Sequence, residues 1–218
     1  MAGNLQKEMD KIKKEILSLG GMVEKRFKSA ALSVKDSDAE CAQKIIDTDI
    51  EIDELEVEIE EDCLKILALY QPVAIDLRFL IAVIKINNDL ERVADLAVNI
   101  CRRVTTISGK NFGEYSYDYY QMAEKTGLML KTSLDALVAM DAEMAERVIK
   151  MDEEVNVMRN EAYDAMKAAI VKSPEYAGRI VNRYLISRHL ERIGDHIKNI
   201  AEEVIHMIKG KIVRHDLQ

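Results

Sequence analysis

The amino-acid sequence repeats itself once at a spacing of about 100 residues, and this duplication constrains the fold more than any other feature. The segment DAECAQKII at 38–46 reappears as DAEMAERVI at 141–149, and Pro72 is matched by Pro174. The motif LERVAD at 90–95 returns as LERIGD at 190–195. Landmarks in the same order at nearly one offset indicate a duplicated unit. We therefore predict two structural repeats, over residues 1–110 and 111–218.

Apolar residues recur every three or four positions over long stretches of both repeats, which is the period of an amphipathic α-helix. Tryptophan is absent and only two prolines occur, as is typical of an all-α protein. Asp38 fits a helix N-cap, and each proline ends a helix. The predicted architecture is all-α, with two pseudo-symmetric three-helix bundles of long antiparallel helices. The six helices are expected at about 5–34, 38–70, 74–108, a stretch ending near 140, 141–172 and 175–209.

The formal net charge of −8 is concentrated in residues 47–62, which contain ten acidic residues and no lysine or arginine. On a helical wheel, some of these acids form an outer, solvated face, whereas Asp49, Asp53, Glu56 and Glu60 form a row between two apolar stripes. Carboxylates in such a row repel one another, and nearby apolar surface desolvates them. Bound cations, lysine or arginine partners, or protonation must offset this cost.

The third predicted helix carries another pair of carboxylates, Glu91 and Asp95, beside its apolar stripe. Two such pairs on neighbouring antiparallel helices can converge into a set of oxygen ligands, which hard cations prefer. The first candidate metal site is therefore Asp49, Asp53, Glu91 and Asp95. A single acidic pair on a charged helix is a weak signal, and its recurrence in the second repeat strengthens it.

The second repeat contains a counterpart set, Asp152 and Asn156 with Glu191 and Asp195. Asn156 offers a neutral carbonyl oxygen where Asp53 offers a charge, so we expect the second site to be weaker. The remaining acids of the inner row have no acidic counterpart, which narrows the first site to the end of the row that holds Asp49 and Asp53.

Several other classes of protein lack support in the sequence. No P-loop, nucleophile elbow or dinucleotide fingerprint occurs, and the acidic balance argues against binding to nucleic acid. No membrane span and no leader segment are found, and three widely spaced cysteines favour a reducing cytoplasm. Two alternatives stay open: a metal-free helical adaptor whose acidic row is satisfied by Lys and Arg, and a di-metal carboxylate enzyme. The enzyme would need two Glu-x-x-His motifs, and only Glu203 with His206 has that spacing.

Over essentially its whole length the sequence resembles the PhoU family, the regulators of bacterial phosphate uptake. The matching elements are Gln71-Pro72 with Asp76-Leu77-Arg78, the two Leu-Glu-Arg motifs with Asn99-Ile100 and Asn199-Ile200, and Lys209-Gly210. The resemblance implies a cytoplasmic, non-enzymatic adaptor that connects the ATPase subunit of a phosphate ABC transporter to a sensor histidine kinase. Such an adaptor represses the phosphate-starvation response when phosphate is plentiful, and it reaches the membrane only through its partners.

The resemblance also implies metal clusters held by paired E/D-x-x-x-D motifs on adjacent helices. Iron is the favoured ion, with manganese, magnesium, calcium or zinc as alternatives, and a multinuclear cluster is compatible with the motif. The implied ligands are Asp49, Asp53, Glu91 and Asp95 for the first site, and Asp152, Asn156, Glu191 and Asp195 for the second. A homodimer is expected because apolar stripes remain exposed.

Overall fold

In the computed structural model, which describes residues 2–48 and 50–210, the chain forms long α-helices. They are α1 (Ala2–Asp36), α2 (Ala39–Asp47), α3 (Ile50–Tyr70), α4 (Ala74–Ile107), α5 (Tyr119–Ala139), α6 (Ala142–Lys172) and α7 (Ala177–Lys209). A 3₁₀ turn, Pro174–Tyr176, precedes α7, and the described residues contain no strand. The predicted all-α class is confirmed. None of the helices in these two ranges is both long and apolar enough to cross a membrane.

The second predicted helix is divided into two segments, α2 and α3. At the end of α2, the Thr48 hydroxyl donates to the Lys44 carbonyl at 3.1 Å, and Arg26 of α1 donates to the Thr48 carbonyl at 2.7 Å. These contacts satisfy backbone groups that the end of a helix leaves without intrahelical partners. No proline or glycine marks the position, so the sequence pattern alone predicts a continuous helix there.

The two repeats follow one plan, in which α2 and α3 together correspond to α6. Asp38 caps α2 by accepting a hydrogen bond from the Cys41 N–H at 2.9 Å. Asp141 caps α6 in the same way, by accepting a hydrogen bond from the Met144 N–H at 3.0 Å. Buried residues of α2 and α3 also have buried equivalents in α6. These pairs are Ala42 and Ala145, Ile52 and Val155, Ile59 and Ala162, Cys63 and Met166, and Ile66 and Ala169.

The core lies around α4 and α7, which pack against each other along much of their length. Helices α1, α2 and α3 cover α4, whereas α5 and α6 cover α7, and α1 also contacts α5. Leu90 and Leu190, which open the two Leu-Glu-Arg motifs, are buried in this core. Burying such a leucine side chain stabilises the fold by roughly 1.5–3 kcal/mol. The glutamate that follows each leucine is thereby held at the edge of the core.

Candidate metal centre

Three of the four carboxylates predicted for the first site converge between α3 and α4. One carboxylate oxygen each of Asp53, Glu91 and Asp95 lies within 4.8 Å of the other two. Asn87, one turn before Glu91, donates to the backbone carbonyl of Glu56 at 2.8 Å and so ties α4 to α3. Asp49, the fourth predicted ligand, lies outside the described residues.

The electrostatics of this centre leave negative charge uncompensated. Burial, together with the neighbouring charge of Asp95, raises the pKa of Glu91 to about 7. Burial, together with the neighbouring charges of Glu60 and Asp53, also raises the pKa of Glu56. Carboxyl groups with raised pKa values hold their protons because the ionised form is disfavoured.

Within the described ranges, only Arg92 forms an ion pair with this centre. Its Nε lies 3.3 Å from Glu91 Oε2 and its NH1 3.4 Å from Asp95 Oδ2, and its side chain is half exposed. A solvated guanidinium offsets little charge, because exposed ion pairs contribute at most about 1 kcal/mol. Three convergent carboxylates are also the ligand type that hard cations take. The arrangement can therefore hold a cation that neutralises Asp53, Glu91 and Asp95 together.

The second predicted set is arranged differently, beginning with Asp152 of α6. Its side chain is buried, and Oδ2 accepts a hydrogen bond from Asn156 Nδ2 at 3.2 Å and lies 3.5 Å from Lys198 Nζ. Its Oδ1 is buried without a hydrogen-bond partner. Burial raises the pKa of Asp152, and the nearby Lys198 ammonium opposes that shift.

Glu191, the central member of the second set, is engaged by two arginines. Arg159 Nε and NH2 each lie 3.1 Å from Oε1, and Arg188 donates to Oε2. Asp195 lies near both acids, and burial, with the charges of Asp152 and Glu191, raises its pKa. Internal cations thus already offset much of the negative charge of Asp152 and Glu191, whereas the described residues of the first set pair only with Arg92.

A third acidic group lies between α1 and α3, where Glu15, Glu58 and Asp62 place carboxylate oxygens within 4.8 Å of one another. The sequence pattern places Glu58 and Asp62 on the outer, solvated face, but α1 covers Asp62. Lys11 of α1 pairs with Asp62 and Glu15, and Lys65 lies 3.0 Å from Asp62. These ammonium groups lower the pKa of Asp62. The four-residue spacing of Lys11 and Glu15 and the three-residue spacing of Asp62 and Lys65 were local signals of this network.

Comparisons with known proteins agree with this architecture. The family model described as "PhoU domain" matches the chain twice, at residues 16–104 and 119–204. The chain is 34% identical over 209 residues to the phosphate-specific transport system accessory protein PhoU homolog of Pseudomonas aeruginosa, covering 95% of this chain and 86% of that protein. It is 28% identical over 215 residues to the accessory protein PhoU of Escherichia coli, covering 99% and 89%.

Two crystal structures share the fold. PhoU from Pseudomonas aeruginosa superposes with a TM-score of 0.89 at 33% identity, covering 94% of this chain and 99% of the other. The phosphate transport system regulatory protein PhoU from Streptococcus pneumoniae gives a TM-score of 0.86 at 28% identity, covering 96% and 99%. With a family model matching both repeats and relatives matching nearly the whole chain, this protein belongs to the PhoU family.

Proposed function

We propose that the protein is a non-enzymatic regulator of phosphate uptake that works through protein partners. It associates with the ATPase subunit of a phosphate ABC transporter and with a sensor histidine kinase, and it represses the phosphate-starvation response when phosphate is plentiful. The family membership supports this role, because relatives are named accessory proteins of the phosphate-specific transport system. Its place is the cytoplasm, and it reaches the membrane through these partners.

The proposed regulator binds a cation at the first site. The observation that carries this proposal is the convergence of Asp53, Glu91 and Asp95, with only the half-exposed Arg92 as an ion-pair partner among the described residues. Asp49 is the proposed fourth ligand. Iron is the favoured ion, and manganese, magnesium, calcium and zinc are alternatives because carboxylate sites select ions weakly. A bound cation ties α3 to α4 and so fixes the acidic surface that meets a partner.

The second set, Asp152, Asn156, Glu191 and Asp195, is proposed as a weaker site. A cation there competes with the arginines on Glu191 and with Lys198 on Asp152. The repeats, 1–110 and 111–218, are proposed to be the two structural units, one for each site. The double match of the family model supports this division.

We also propose a homodimer that uses the exposed apolar residues around the end of α5. Val138 and the C-cap residue Met140 are large apolar side chains that lie half exposed or more at this end. Exposed apolar residues grouped in one place favour an interface.

The metal proposal is tested with protein purified without chelator. Elemental analysis is compared between wild type, Glu91→Ala/Asp95→Ala and the control Glu51→Ala/Glu54→Ala, which removes two exposed acids of α3. We expect the first variant to lose its metal and the control to keep it. In cells, the first variant should also lose repression. Full repression by a variant that binds no metal would refute the coupling of metal to regulation.

The adaptor proposal is tested separately by affinity purification of the protein from phosphate-replete cells. Recovery of a transporter ATPase and a sensor kinase is the expected result. If neither is recovered, the assignment of partners is wrong.

A metal-free adaptor is the second candidate, and the neutralisation of Glu191 by Arg159 and Arg188 favours it. That contact illustrates how this fold can satisfy an acidic position with internal cations. The same elemental analysis separates the two candidates. A di-metal carboxylate enzyme has less support, because Glu203 of its single Glu-x-x-His motif lies 3.0 Å from Lys85 Nζ.

A further inference from the structure

Three large apolar side chains form an exposed line along α3. Ile50, Val57 and Leu64 are spaced seven residues apart and are 66%, 52% and 51% exposed. At 1.5 Å per residue the line, here called the α3 stripe, is roughly 21 Å long. It lies on the side of α3 opposite to the residues that enter the core, which include Ile52 and Ile59. The α3 stripe therefore contributes little to the packing of this chain.

The second repeat indicates that the fold does not need apolar residues at these positions. Helix α6 packs its buried residues in the same register as α3, with Val155 at the place of Ile52 and Ala162 at that of Ile59. At the three positions equivalent to the α3 stripe, however, α6 carries polar or charged residues, all of them exposed. These residues are Glu153, Asn160 and Lys167. The α3 stripe is thus a property of the first repeat that the shared fold does not require.

Acidic side chains line both sides of the α3 stripe. Asp53 and Glu60 follow one side, Glu54 and Glu61 follow the other, and all four are exposed. Across its whole length α3 has eight acidic residues and one basic residue, Lys65. A partner that covers the stripe must therefore meet negative charge on both flanks.

From this pattern we infer that the α3 stripe docks an amphipathic helix of a partner protein, one with an apolar ridge flanked by lysine or arginine. Apolar residues at a seven-residue spacing are suited to packing along another helix. Basic flanks on that helix complement the acids of α3 and favour both association and register. The inference rests on the proposed adaptor function for the existence of a protein partner, but not on metal binding.

Other occupants fit the charge pattern less well. A second copy of α3 would bring acidic rows together, and juxtaposed like charges disfavour association. An anionic lipid surface attracts basic segments and repels an acidic helix. A basic helix is the occupant that complements both the apolar stripe and its flanks.

The test uses the full chain in EDTA and a synthetic helical peptide of about 21 residues, which is long enough to cover the whole stripe. The peptide carries a leucine ridge flanked by lysine, and a control peptide has glutamate in place of each lysine. Fluorescence anisotropy measures binding to wild type and to Val57→Asn/Leu64→Gln, which keeps the net charge. The matched control, Val157→Asn/Val171→Gln, removes two exposed valines from α6.

We expect the lysine peptide to bind wild type and the α6 control alike, and the α3 variant at least about tenfold more weakly, because two apolar contacts are lost. Binding to wild type should also weaken with salt, as charge complementarity requires. Equal affinity for wild type and the α3 variant would overturn the inference, as would equal binding of the glutamate peptide. Thermal unfolding should be unchanged in both variants, because all four side chains are exposed.

Two further measurements separate the remaining outcomes. If sedimentation velocity finds a wild-type dimer that Val57→Asn/Leu64→Gln dissociates, the stripe joins two copies and the inference is wrong. If the same variant still recovers the transporter ATPase and the kinase from cells as wild type does, the adaptor function stands and the stripe is not their docking site. Loss of either partner from this variant alone supports the inference.

Discussion

Arg159 of α6 lies against Glu191 of α7, with its Nε 3.1 Å from Oε1. In the first repeat the equivalent helices place Glu56 near Glu91, and the charge of Glu56 helps to raise the pKa of Glu91. The same helix pair therefore carries an ion pair in one repeat and two like charges in the other. This difference separates an acidic site that internal cations largely neutralise from one in which like charges lie together.

Glu56→Arg should convert the first site to the arrangement of the second. The new guanidinium would take the place of a cation beside Glu91, so we expect Mn²⁺ affinity to fall at least about tenfold, or about 1.4 kcal/mol. Isothermal titration calorimetry measures the change. Glu51→Arg, the same charge change on the outer face of α3, should bind nearly as wild type does. Unchanged affinity in Glu56→Arg would contradict this account of the site.

Replacing Glu91 by glutamine should change how stability depends on pH in the absence of metal. The folded-state pKa of Glu91 is about 7, above the ordinary value of 4.5, chiefly because of burial and then of Asp95. The folded state therefore binds the proton more tightly, and its stability should fall as pH rises from 4.5 through 7.

Urea unfolding in EDTA on both sides of this window measures the effect. Glu91→Gln should lose less stability on raising the pH than wild type does, whereas Glu153→Gln, at an exposed acid of α6, should follow wild type. Parallel pH profiles for Glu91→Gln and wild type would refute the prediction.

His189 of α7 should destabilise the fold in acid. Both of its ring nitrogens are buried without hydrogen-bond partners, and burial, aided by Arg103 of α4 and by Arg192 and Arg188 of α7, lowers its pKa to about 4. The unfolded chain binds the proton near pH 6.5, so stability is lost as pH falls from 6.5 through 4. The loss should reach about 3 kcal/mol.

His189→Leu should remove most of that loss, because an apolar side chain needs no proton and no partner. Urea unfolding between neutral pH and pH 4 compares the two proteins, and NMR of the His189 ring should find it neutral until pH approaches 4. A ring that titrates near its ordinary pKa would disprove this assignment.

The two N-caps that mark the duplication should each stabilise their helix. Asp38→Ala and Asp141→Ala are each expected to cost about 1 kcal/mol, because each removes a side-chain acceptor from an N-terminal N–H. Asp→Asn at either position should retain most of the stability, since asparagine caps equally well. Urea unfolding that finds alanine as stable as asparagine would count against a capping role.

Local patterns predicted much of the fold and part of the site. The N-caps Asp38 and Asp141 were recognisable because a cap acts on backbone groups within three residues. Glu91 and Asp95 could be assigned to one side of a helix because residues four apart lie on the same face. The division between α2 and α3 could not be predicted, since Arg26 satisfies the Thr48 carbonyl from another helix.

Local sequence patterns also could not predict in full which acidic groups are neutralised by cations. Lys11 neutralises Asp62 from α1, 51 residues away in the chain, and Arg159 reaches Glu191 only because α6 and α7 pack together. Arg188, by contrast, lies three residues before Glu191 on α7, so its contact is local.

By the spacing of their residues alone, both sets were equally good candidates for a metal site. Among the described residues, Asp53, Glu91 and Asp95 have one ion-pair partner, the half-exposed Arg92. Three partly buried cations, Arg159, Arg188 and Lys198, lie against the second set.

By itself, the sequence determined the all-α class, the twofold repeat and the helix faces that carry acids, because helix period and capping depend on near neighbours. The tertiary structure alone decided which carboxylates meet, which are neutralised and which apolar residues stay exposed. Ion pairs and burial depend on separations of a few ångströms between residues far apart in the chain. Those separations are set by how the helices pack.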